Sequence, residues 1–260
     1  MSYDILVLNP GSTSTKAAVY RDERPLMVRS MVHSNPDLAP YPALDDQLDY
    51  RVGMTRSWLA LEGYDLSGLS AVVGRGGIIP NIVSGGYLVD EDLTDCLLHH
   101  TAFDHASNLG GLMAREFARP LDIPAYIYDA VTSDELLPEA RVTGFKEVTR
   151  SSFCHVLNAR ATGHKYAQAM GRRYEDMNLV VAHLGGGISV SAHCHGRIID
   201  SVSDDAGPFS PDRGGSLNML YVLDMCYSGK YTKAEMLKKM RGEGGMSALL
   251  GTHDCQEVER

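Results

Sequence analysis

The chain has 260 residues, of which 44% are hydrophobic and 22% charged, and its formal net charge is −9. This length allows one large domain or two ordinary ones, and the composition is typical of a globular protein. The acidic balance argues against a nucleic-acid partner, and it means that an anionic substrate must be met by local positive charge.

The cysteines and the hydropathy pattern indicate the cellular compartment in which we expect the protein. The five cysteines are widely spaced and include no C-x-x-C motif, which favours reduced thiols in the cytoplasm over a disulfide framework. We expect no signal peptide and no membrane span, because the first apolar run is short and follows an acidic residue. The expected localisation is therefore cytoplasmic.

The first part of the chain alternates between strand and helix patterns. Apolar runs predict strands at 4–8, 17–20, 26–32, 69–73 and 123–131. Apolar residues at helical spacing predict one helix from Leu44 to Leu59 and another from about 106 to 117, which Pro120 ends.

The second part repeats this order. A predicted helix at about 156–173 precedes the strand NLVVAHL, a GGG loop, the strand ISVSAHC, a turn and the strand IIDSV. We infer an architectural duplication: an α/β protein with two lobes, residues 1–147 and 148–260, and a cleft between them. We expect the second lobe to be incomplete, because each further βαβ unit takes about 30 residues.

The stretch NPGSTSTK, residues 9–16, lies between two predicted strands. It is not a P-loop, because the second glycine of that motif is missing and a strand rather than a helix follows. Gly11 permits a tight turn with inward amides, four hydroxyls follow it, and Lys16 adds a charge, which together suit an anion. The alternative is an ordinary solvated hairpin turn.

The stretch HLGGG, residues 183–187, occupies the equivalent turn of the second lobe. Three glycines remove every side chain that would hinder the approach of a ligand to the backbone, although a flexible turn also explains them. Two such loops at matching places could each hold one end of a polyphosphate.

Four further residues are candidates for catalysis or for ligand binding. Arg75 and Arg213 lie in glycine-rich loops, where a guanidinium can meet a carboxylate or phosphate, though exposed loop arginines are usually only solvated. Asp129 ends a strand, where α/β sheets place functional groups, and could instead cap a helix. His155 lies near a helix start and could donate to a phosphoryl oxygen, or it could be a satisfied core histidine.

The stretch AHCHG, residues 192–196, raises the possibility of a metal site. On a strand His193 and His195 would share one face with Cys194 opposite, so at most two ligands converge. We therefore do not expect a metal there.

Taken together, these motifs resemble the acetate and butyrate kinases, the acetokinase family of the acetate/sugar kinase–Hsp70–actin superfamily. The order NPGSTSTK, GRGG, strand-end Asp, FCH, HLGGG and GPFSPDRGG carries the resemblance over almost the whole chain. The forms VVGRGGI, HLGGG and GPFSPDRGG are more similar to butyrate kinases. The resemblance implies the duplicated actin-like (ribonuclease H-like) ATPase fold.

The resemblance also implies roles for residues of the first lobe. The first phosphate loop would be lined by Asn9, Ser12, Ser14 and Lys16. Arg75, together with Arg213 of the second lobe, would contact the carboxylate and the transferring phosphoryl group. Asp129 would lie near the phosphoryl group or the magnesium ion, for which Asp129 and Asn9 are the implied protein ligands.

In the second lobe, the resemblance implies that His155 stabilises the transition state. The second phosphate loop would consist of His183, Gly185, Gly186 and Gly187. Gly186 stands where acetate kinases have asparagine, so any side-chain contact made there is lost. The family's adenosine-binding glycine motif and a magnesium-associated glutamate lie in a C-terminal segment that these 260 residues do not include, and we expect the chain to be a fragment.

The implied reaction is phosphoryl transfer between ATP, with Mg²⁺, and a short-chain fatty acid, butanoate plus ATP giving butanoyl phosphate plus ADP. A homo-oligomer is implied as well. The alternatives are an acetate or branched-chain fatty acid kinase, a sugar kinase that uses Asp129 as a base, and an inactive nucleotide- or phosphate-binding fragment.

Overall fold

The computed structural model describes residues 2–101 and 103–259, which form two compact units. The division falls between Ser133 and Asp134, whereas sequence analysis places it after residue 147. Both units contain a β-sheet and helices, which confirms the predicted α/β class.

The Asp134 carboxylate is one of the groups that hold the segment after the division in the second unit. Asp134 accepts two hydrogen bonds from the Arg141 guanidinium, at 2.7 and 2.8 Å, and one from the backbone N–H of Ser152 at 3.1 Å. These bonds lower the pKa of Asp134 against the effect of its burial. The connection that the sequence assigns to the first lobe therefore packs with the residues that follow it.

The first unit contains a mixed sheet with helices. Its strands are β1 (Asp4–Pro10), β2 (Ser14–Arg21), β3 (Arg24–Val32), β4 (Leu69–Arg75), β5 (Gly86–Leu88) and β6 (Ala125–Tyr128). Its helices are α1 (Asn35–Leu38), α2 (Gln47–Leu61), α3 (Glu91–His99) and α4 (Leu109–Ala118). The strands and helices that the sequence predicts here are confirmed, and α1, α3 and β5 are additions.

The strand order of this sheet is β3-β2-β1-β4-β6-β5. Strands β1, β2 and β3 pair antiparallel in chain order, β1, β4 and β6 pair parallel, and β5 closes the edge antiparallel to β6. The carboxyl ends of the three parallel strands therefore meet at one edge of the sheet.

Helix α4 packs on this sheet and forms the centre of the core. Its residues Leu109, Met113 and Phe117, predicted from helical spacing, are all at most 2% exposed. They meet alternate residues of β1, Leu6 and Leu8, which are fully buried. Each such side chain contributes about 2 kcal/mol by leaving water.

Two glycines let the start of α4 touch the end of β4. A Cβ at Gly74 would lie 2.0 Å from the carbonyl oxygen of Gly110, and a Cβ at Gly110 would lie 2.3 Å from the carbonyl oxygen of Arg75. No side chain fits at either position, so the helix packs backbone against backbone. This contact fixes the position of the Arg75 backbone relative to helix α4.

The second unit carries a smaller sheet and five helices among its described residues. The strands are β7 (Asn178–Leu184), β8 (Ile188–Cys194) and β9 (Arg197–Val202). The helices are α5 (Val156–Ala169), α6 (Met219–Tyr227), α7 (Lys233–Met240), α8 (Gly245–Leu250) and α9 (Cys255–Val258). Strands β7, β8 and β9 pair antiparallel in chain order, as β1, β2 and β3 do. This confirms the predicted repeat of three sequential strands.

Helix α6 is apolar except for Asp224, yet it has no buried residue. Its most exposed large side chains are Met219, Leu220, Tyr221 and Tyr227. A helix of this composition is usually covered on several sides. Across the residues that the structure describes, no helix has both the length and the apolar character needed to cross a bilayer.

Replacing Gly110 by alanine will destabilise the fold by about 2 kcal/mol or more, because the new methyl group overlaps backbone that cannot rotate away. Gly53→Ala is the matched control, since Gly53 lies in helix α2 with nothing within 4 Å of its Cβ position. There we expect a gain of about 1 kcal/mol from helix propensity. Urea unfolding of both variants measures the difference, and equal stabilities would contradict the packing described.

Candidate active site

Three predicted site residues meet at the carboxyl edge of the first unit's sheet. Leu8 of β1 lies opposite Gly74 of β4, so the next residues, Asn9 and Arg75, are level with each other. Asp129 follows the last residue of β6, which pairs parallel with β4. Parallel strands thus bring an amide, a guanidinium and a carboxylate to one edge, where open α/β sheets bind their ligands.

Arg75 has no partner for its charge among residues 2–101 and 103–259: no hydrogen bond or ion pair engages its guanidinium. The side chain is half-buried, and burial lowers the pKa of Arg75. A partly desolvated guanidinium is more stable with an anion beside it, and its planar fork matches carboxylate or phosphate oxygens. Arg75 is therefore suited to an anionic ligand, which a solvated surface arginine is not.

Asp129 is buried, 2% exposed, in a strained backbone. Its φ is +43°, in the left-handed region that residues other than glycine seldom adopt. Its Oδ1 accepts a hydrogen bond from the backbone N–H of Gly85 at 2.9 Å, and its own N–H donates to the Gly85 carbonyl at 3.0 Å. Residues 130–138 form no helix, so the alternative role of Asp129 as a helix cap is wrong. Strained residues of this kind cluster at functional sites.

The turn between β1 and β2 has the tight form that its glycine predicts. The N–H of Gly11 donates to the Ser14 carbonyl at 2.7 Å, and Asn9 lies opposite Lys16 in the strand pair. Ser12 and Lys16 are exposed and Ser14 is half-buried, so all three can reach a ligand from solvent. Phosphate binding by this turn stays a prediction.

Two polar residues beneath that turn were not predicted from the sequence. Arg51, in the middle of α2, is 0% exposed, and His33, after β3, is 1% exposed. Both contact Thr15, at 2.9 Å from Arg51 Nη1 and 2.8 Å from His33 Nε2. A signal was present for Arg51: it lies one turn before Thr55, which the helical spacing assigns to the buried face.

The second unit's glycine loop, between β7 and β8, is closely packed by side chains. A Cβ at Gly186 would lie 2.5 Å from Asp212 Oδ2, and a Cβ at Gly187 would lie 2.6 Å from Asp204 Oδ2. A Cβ at Gly185 would lie 2.7 Å from His183 Nε2. A side chain at any of these positions would meet the end of a neighbouring side chain, and an asparagine at position 186 would require Asp212 to move.

Two predicted site residues of this unit stack on each other. The rings of His155 and His183 are parallel within 9° and their centroids are 3.8 Å apart. His155 Nδ1 lies 2.8 Å from Ser189 Oγ, and His183 Nδ1 lies 3.0 Å from Asn158 Oδ1. Ser189 and Asn158 fix the orientation of the two rings, and no sequence motif points to either residue. His155 directly precedes helix α5, where the sequence placed it.

Arg213 is tied to the same loop. Its Nε donates to Asp204 Oδ2 at 3.2 Å, and no described residue accepts from its two Nη groups. Its segment is anchored because the Gly186 carbonyl accepts hydrogen bonds from Ser210 Oγ at 2.5 Å and from the N–H of Asp212 at 3.0 Å. The second unit therefore brings Arg213 and the glycine loop together.

The histidines of AHCHG do not share a strand face. His193, on β8, is buried and hydrogen-bonded to Tyr174 and to Ser191, at 2.7 Å from the latter. His195 lies beyond the end of β8, exposed, with a φ of +48°. Within the described residues, no group of three or more His, Cys, Asp or Glu side chains is placed to hold a metal ion.

Comparison with solved structures defines the class of fold. The chain superposes on an acetate kinase from Porphyromonas gingivalis with a TM-score of 0.77 at 17% identity, covering 99% of this chain and 72% of that one. A propionate kinase from Francisella tularensis gives a TM-score of 0.69, also at 17% identity, with coverage of 99% and 72%. The fold is that of these kinases, the actin-like ATPase fold.

Comparison of sequences defines the family. The chain is 45% identical over 261 residues to a probable butyrate kinase from Listeria monocytogenes, covering 100% of this chain and 74% of that protein. It is 44% identical over 257 residues to probable butyrate kinase 2 from Caldanaerobacter subterraneus, covering 98% and 73%. No family model matches the chain. The chain belongs to the butyrate kinase family.

The buried histidine gives the fold a pH dependence. Desolvation, and to a lesser extent the charge of Arg160, lower the pKa of His193 from 6.5 to about 4. The unfolded chain therefore binds a proton at this residue between about pH 6.5 and 4 that the folded chain does not, and stability falls as the pH falls through that window.

In the variant His193→Gln this contribution disappears. Between pH 7 and pH 4, wild type should lose up to about 3 kcal/mol more of its unfolding free energy than the variant does. Urea unfolding at several pH values measures both, with the exposed His253→Gln as control. Parallel pH profiles for wild type and His193→Gln would show that His193 is protonated in the fold.

Proposed function

We propose that the chain transfers a phosphoryl group between ATP and the carboxylate of a short-chain fatty acid, with butanoate plus ATP giving butanoyl phosphate plus ADP. The observation that carries this proposal is the 45% identity, over the whole chain, to a probable butyrate kinase. The sheet edge that brings Asn9, Arg75 and Asp129 together supports it independently.

The chemistry requires no general base. A carboxylic acid has a pKa of about 4 to 5, so the attacking group is already ionised near neutral pH. One carboxylate oxygen forms a bond to the γ-phosphorus, the bond from that phosphorus to the bridging oxygen breaks, and ADP leaves. The protein must offset repulsion between two anions and align them for in-line transfer.

The first unit contributes cations and donors for this task. Arg75, whose guanidinium is engaged by no described residue, would bind the substrate carboxylate or the transferring phosphoryl group. Lys16 and the hydroxyls of Ser12 and Ser14 would meet a phosphate at the β1–β2 turn. Binding and orientation together are the main source of rate in phosphoryl transfer.

The second unit contributes the stacked histidines, the glycine loop and Arg213. His155, oriented by Ser189, would donate a hydrogen bond to a phosphoryl oxygen as charge develops. Gly185, Gly186, Gly187 and His183 would bind the nucleotide phosphates. Arg213 would offer its two Nη groups to the carboxylate or the transferring phosphoryl group, because Asp204 holds its Nε and no described residue accepts from the Nη groups.

Magnesium fits the donors at the first unit's edge. Asp129 and Asn9 present carboxylate and amide oxygens, which are the hard ligands that Mg²⁺ prefers, and Mg²⁺ in kinases needs only one or two protein ligands beside the phosphates. When bound, Mg²⁺ neutralises charge on the ATP phosphates. A homo-oligomer and a cytoplasmic location remain predictions of the family resemblance.

Hydroxylamine trapping tests the reaction. With ATP–Mg and butanoate the chain should accumulate butanoyl hydroxamate, since an acyl phosphate reacts with hydroxylamine and a sugar phosphate does not. Acetate, isobutanoate and a hexose serve as parallel substrates that separate the alternatives. ADP released with the hexose alone would identify a sugar kinase, and nucleotide binding without product would identify a binding module.

Replacing Asp129 by asparagine tests the role of its charge. Asparagine keeps the Oδ1 acceptor for the Gly85 N–H, so the melting temperature should change little while the rate of hydroxamate formation falls about a hundredfold or more. Asp122→Asn is the matched control, because Asp122 is exposed and also has a positive φ, +52°. An Asp129→Asn variant with at least half of the wild-type rate would assign Asp129 a structural role only.

A further inference from the structure

Arg51 extends from the middle of helix α2 to the underside of the β1–β2 turn, with no exposed surface. All five of its N–H groups donate hydrogen bonds to the turn or to its own helix. Nε donates to Gln47 Oε1 at 3.2 Å, Nη1 to the Ser14 carbonyl at 3.2 Å and Thr15 Oγ1 at 2.9 Å, and Nη2 to the Ser12 carbonyl at 3.3 Å and Gln47 Oε1 at 2.9 Å.

The acceptors around Arg51 are all neutral. They are carbonyls, a hydroxyl and a carboxamide, and no carboxylate pairs with this guanidinium anywhere in the described chain. Burial lowers the pKa of Arg51, but arginine remains protonated in proteins. A positive charge without a counter-charge is unfavourable in a protein interior. The first unit nevertheless keeps one directly beneath the predicted phosphate loop.

The same hydrogen bonds orient the peptide groups of the turn. Peptide bonds are planar and trans here, so the N–H of each residue points opposite to the preceding carbonyl. The Ser12 carbonyl faces Arg51, and the N–H of Thr13 therefore points away from it. The Thr13 carbonyl accepts from the N–H of His33 at 2.8 Å, and the N–H of Ser14 points away from His33. Successive amides held in this way form a concave site for an anion.

We propose that Arg51 is a positioning residue for a phosphate group bound at the β1–β2 turn. It holds the Ser12 carbonyl inward so that the next amide, that of Thr13, faces the ligand, and the ligand's negative charge is the counter-charge of the buried guanidinium. Arg51 does not touch the phosphate, because all five of its donors are occupied. This inference rests on the proposed function and names a residue to which neither the motifs nor the family resemblance gives a role.

Three variants test it: Arg51→Met, Arg51→Lys and, as a matched control, Arg56→Met. Arg56 lies on the same helix, is exposed, and donates to the Glu116 carbonyl. Binding of ATP–Mg and of inorganic phosphate is measured by calorimetry, and KM for ATP by hydroxamate formation, at a temperature well below each variant's melting point. We expect about tenfold or greater weakening for Arg51→Met, a smaller loss for Arg51→Lys, and wild-type values for Arg56→Met.

Folding and positioning are separated by the readout. A residue that only stabilises the fold would lower the melting temperature and leave the dissociation constants of the folded protein unchanged, and that result would overturn the inference. If Arg51→Met does not fold, Arg51→Lys decides: wild-type affinity and KM would overturn the inference, and raised values support it.

The two proposals fail in different ways. If wild type binds neither ATP–Mg nor phosphate and forms no hydroxamate, the proposed function is wrong and this inference is wrong with it. If wild type is active and the folded Arg51 variants bind phosphate as wild type does, the inference about Arg51 alone is wrong.

Discussion

The first unit depends on the contact between the start of helix α4 and the end of strand β4. Gly74 and Gly110 allow the two backbones to touch. The part of β4 that contacts the helix is the backbone of Gly74 and of Arg75 itself. Because β4 lies between β1 and β6, its position sets the level of Asn9 on one side and Asp129 on the other. Core packing and the geometry of the candidate site are therefore consequences of one helix–strand distance.

In both glycine-bearing turns, hydrogen bonds hold backbone carbonyls in place, but the donors differ. In the first turn a buried guanidinium and a backbone N–H hold successive carbonyls, and in the second Ser210 and the N–H of Asp212 hold the carbonyl of Gly186. A carbonyl held on one side directs the following amide to the other side. The first turn therefore has the buried positive charge of Arg51 beneath it. In the second turn, carboxylates and an imidazole lie beside the glycines.

Periodicity predicts most of this fold, since long strands and the helix of Leu109, Met113 and Phe117 have clear apolar patterns. Helix α3 was missed although Asp90 caps it, accepting from the N–H of Leu93 at 2.9 Å, and acidic residues fill its first turn. Strand β5 has only three residues, too few for a pattern. Motifs identified Arg75 and Asp129. Helical spacing places Arg51 on the buried face of α2, but its partners beneath the β1–β2 turn follow from tertiary packing, which no local sequence pattern reveals.

Helix α6 presents apolar side chains to water in the second unit. Its side chains Leu220, Tyr221 and Tyr227 are each at least 66% exposed and leave apolar surface in contact with water. Any association that removes this surface is favoured in proportion to its area, and by mass action it grows with the amount of protein present. Light scattering or melting data taken at a single concentration therefore describe the chain at that concentration alone.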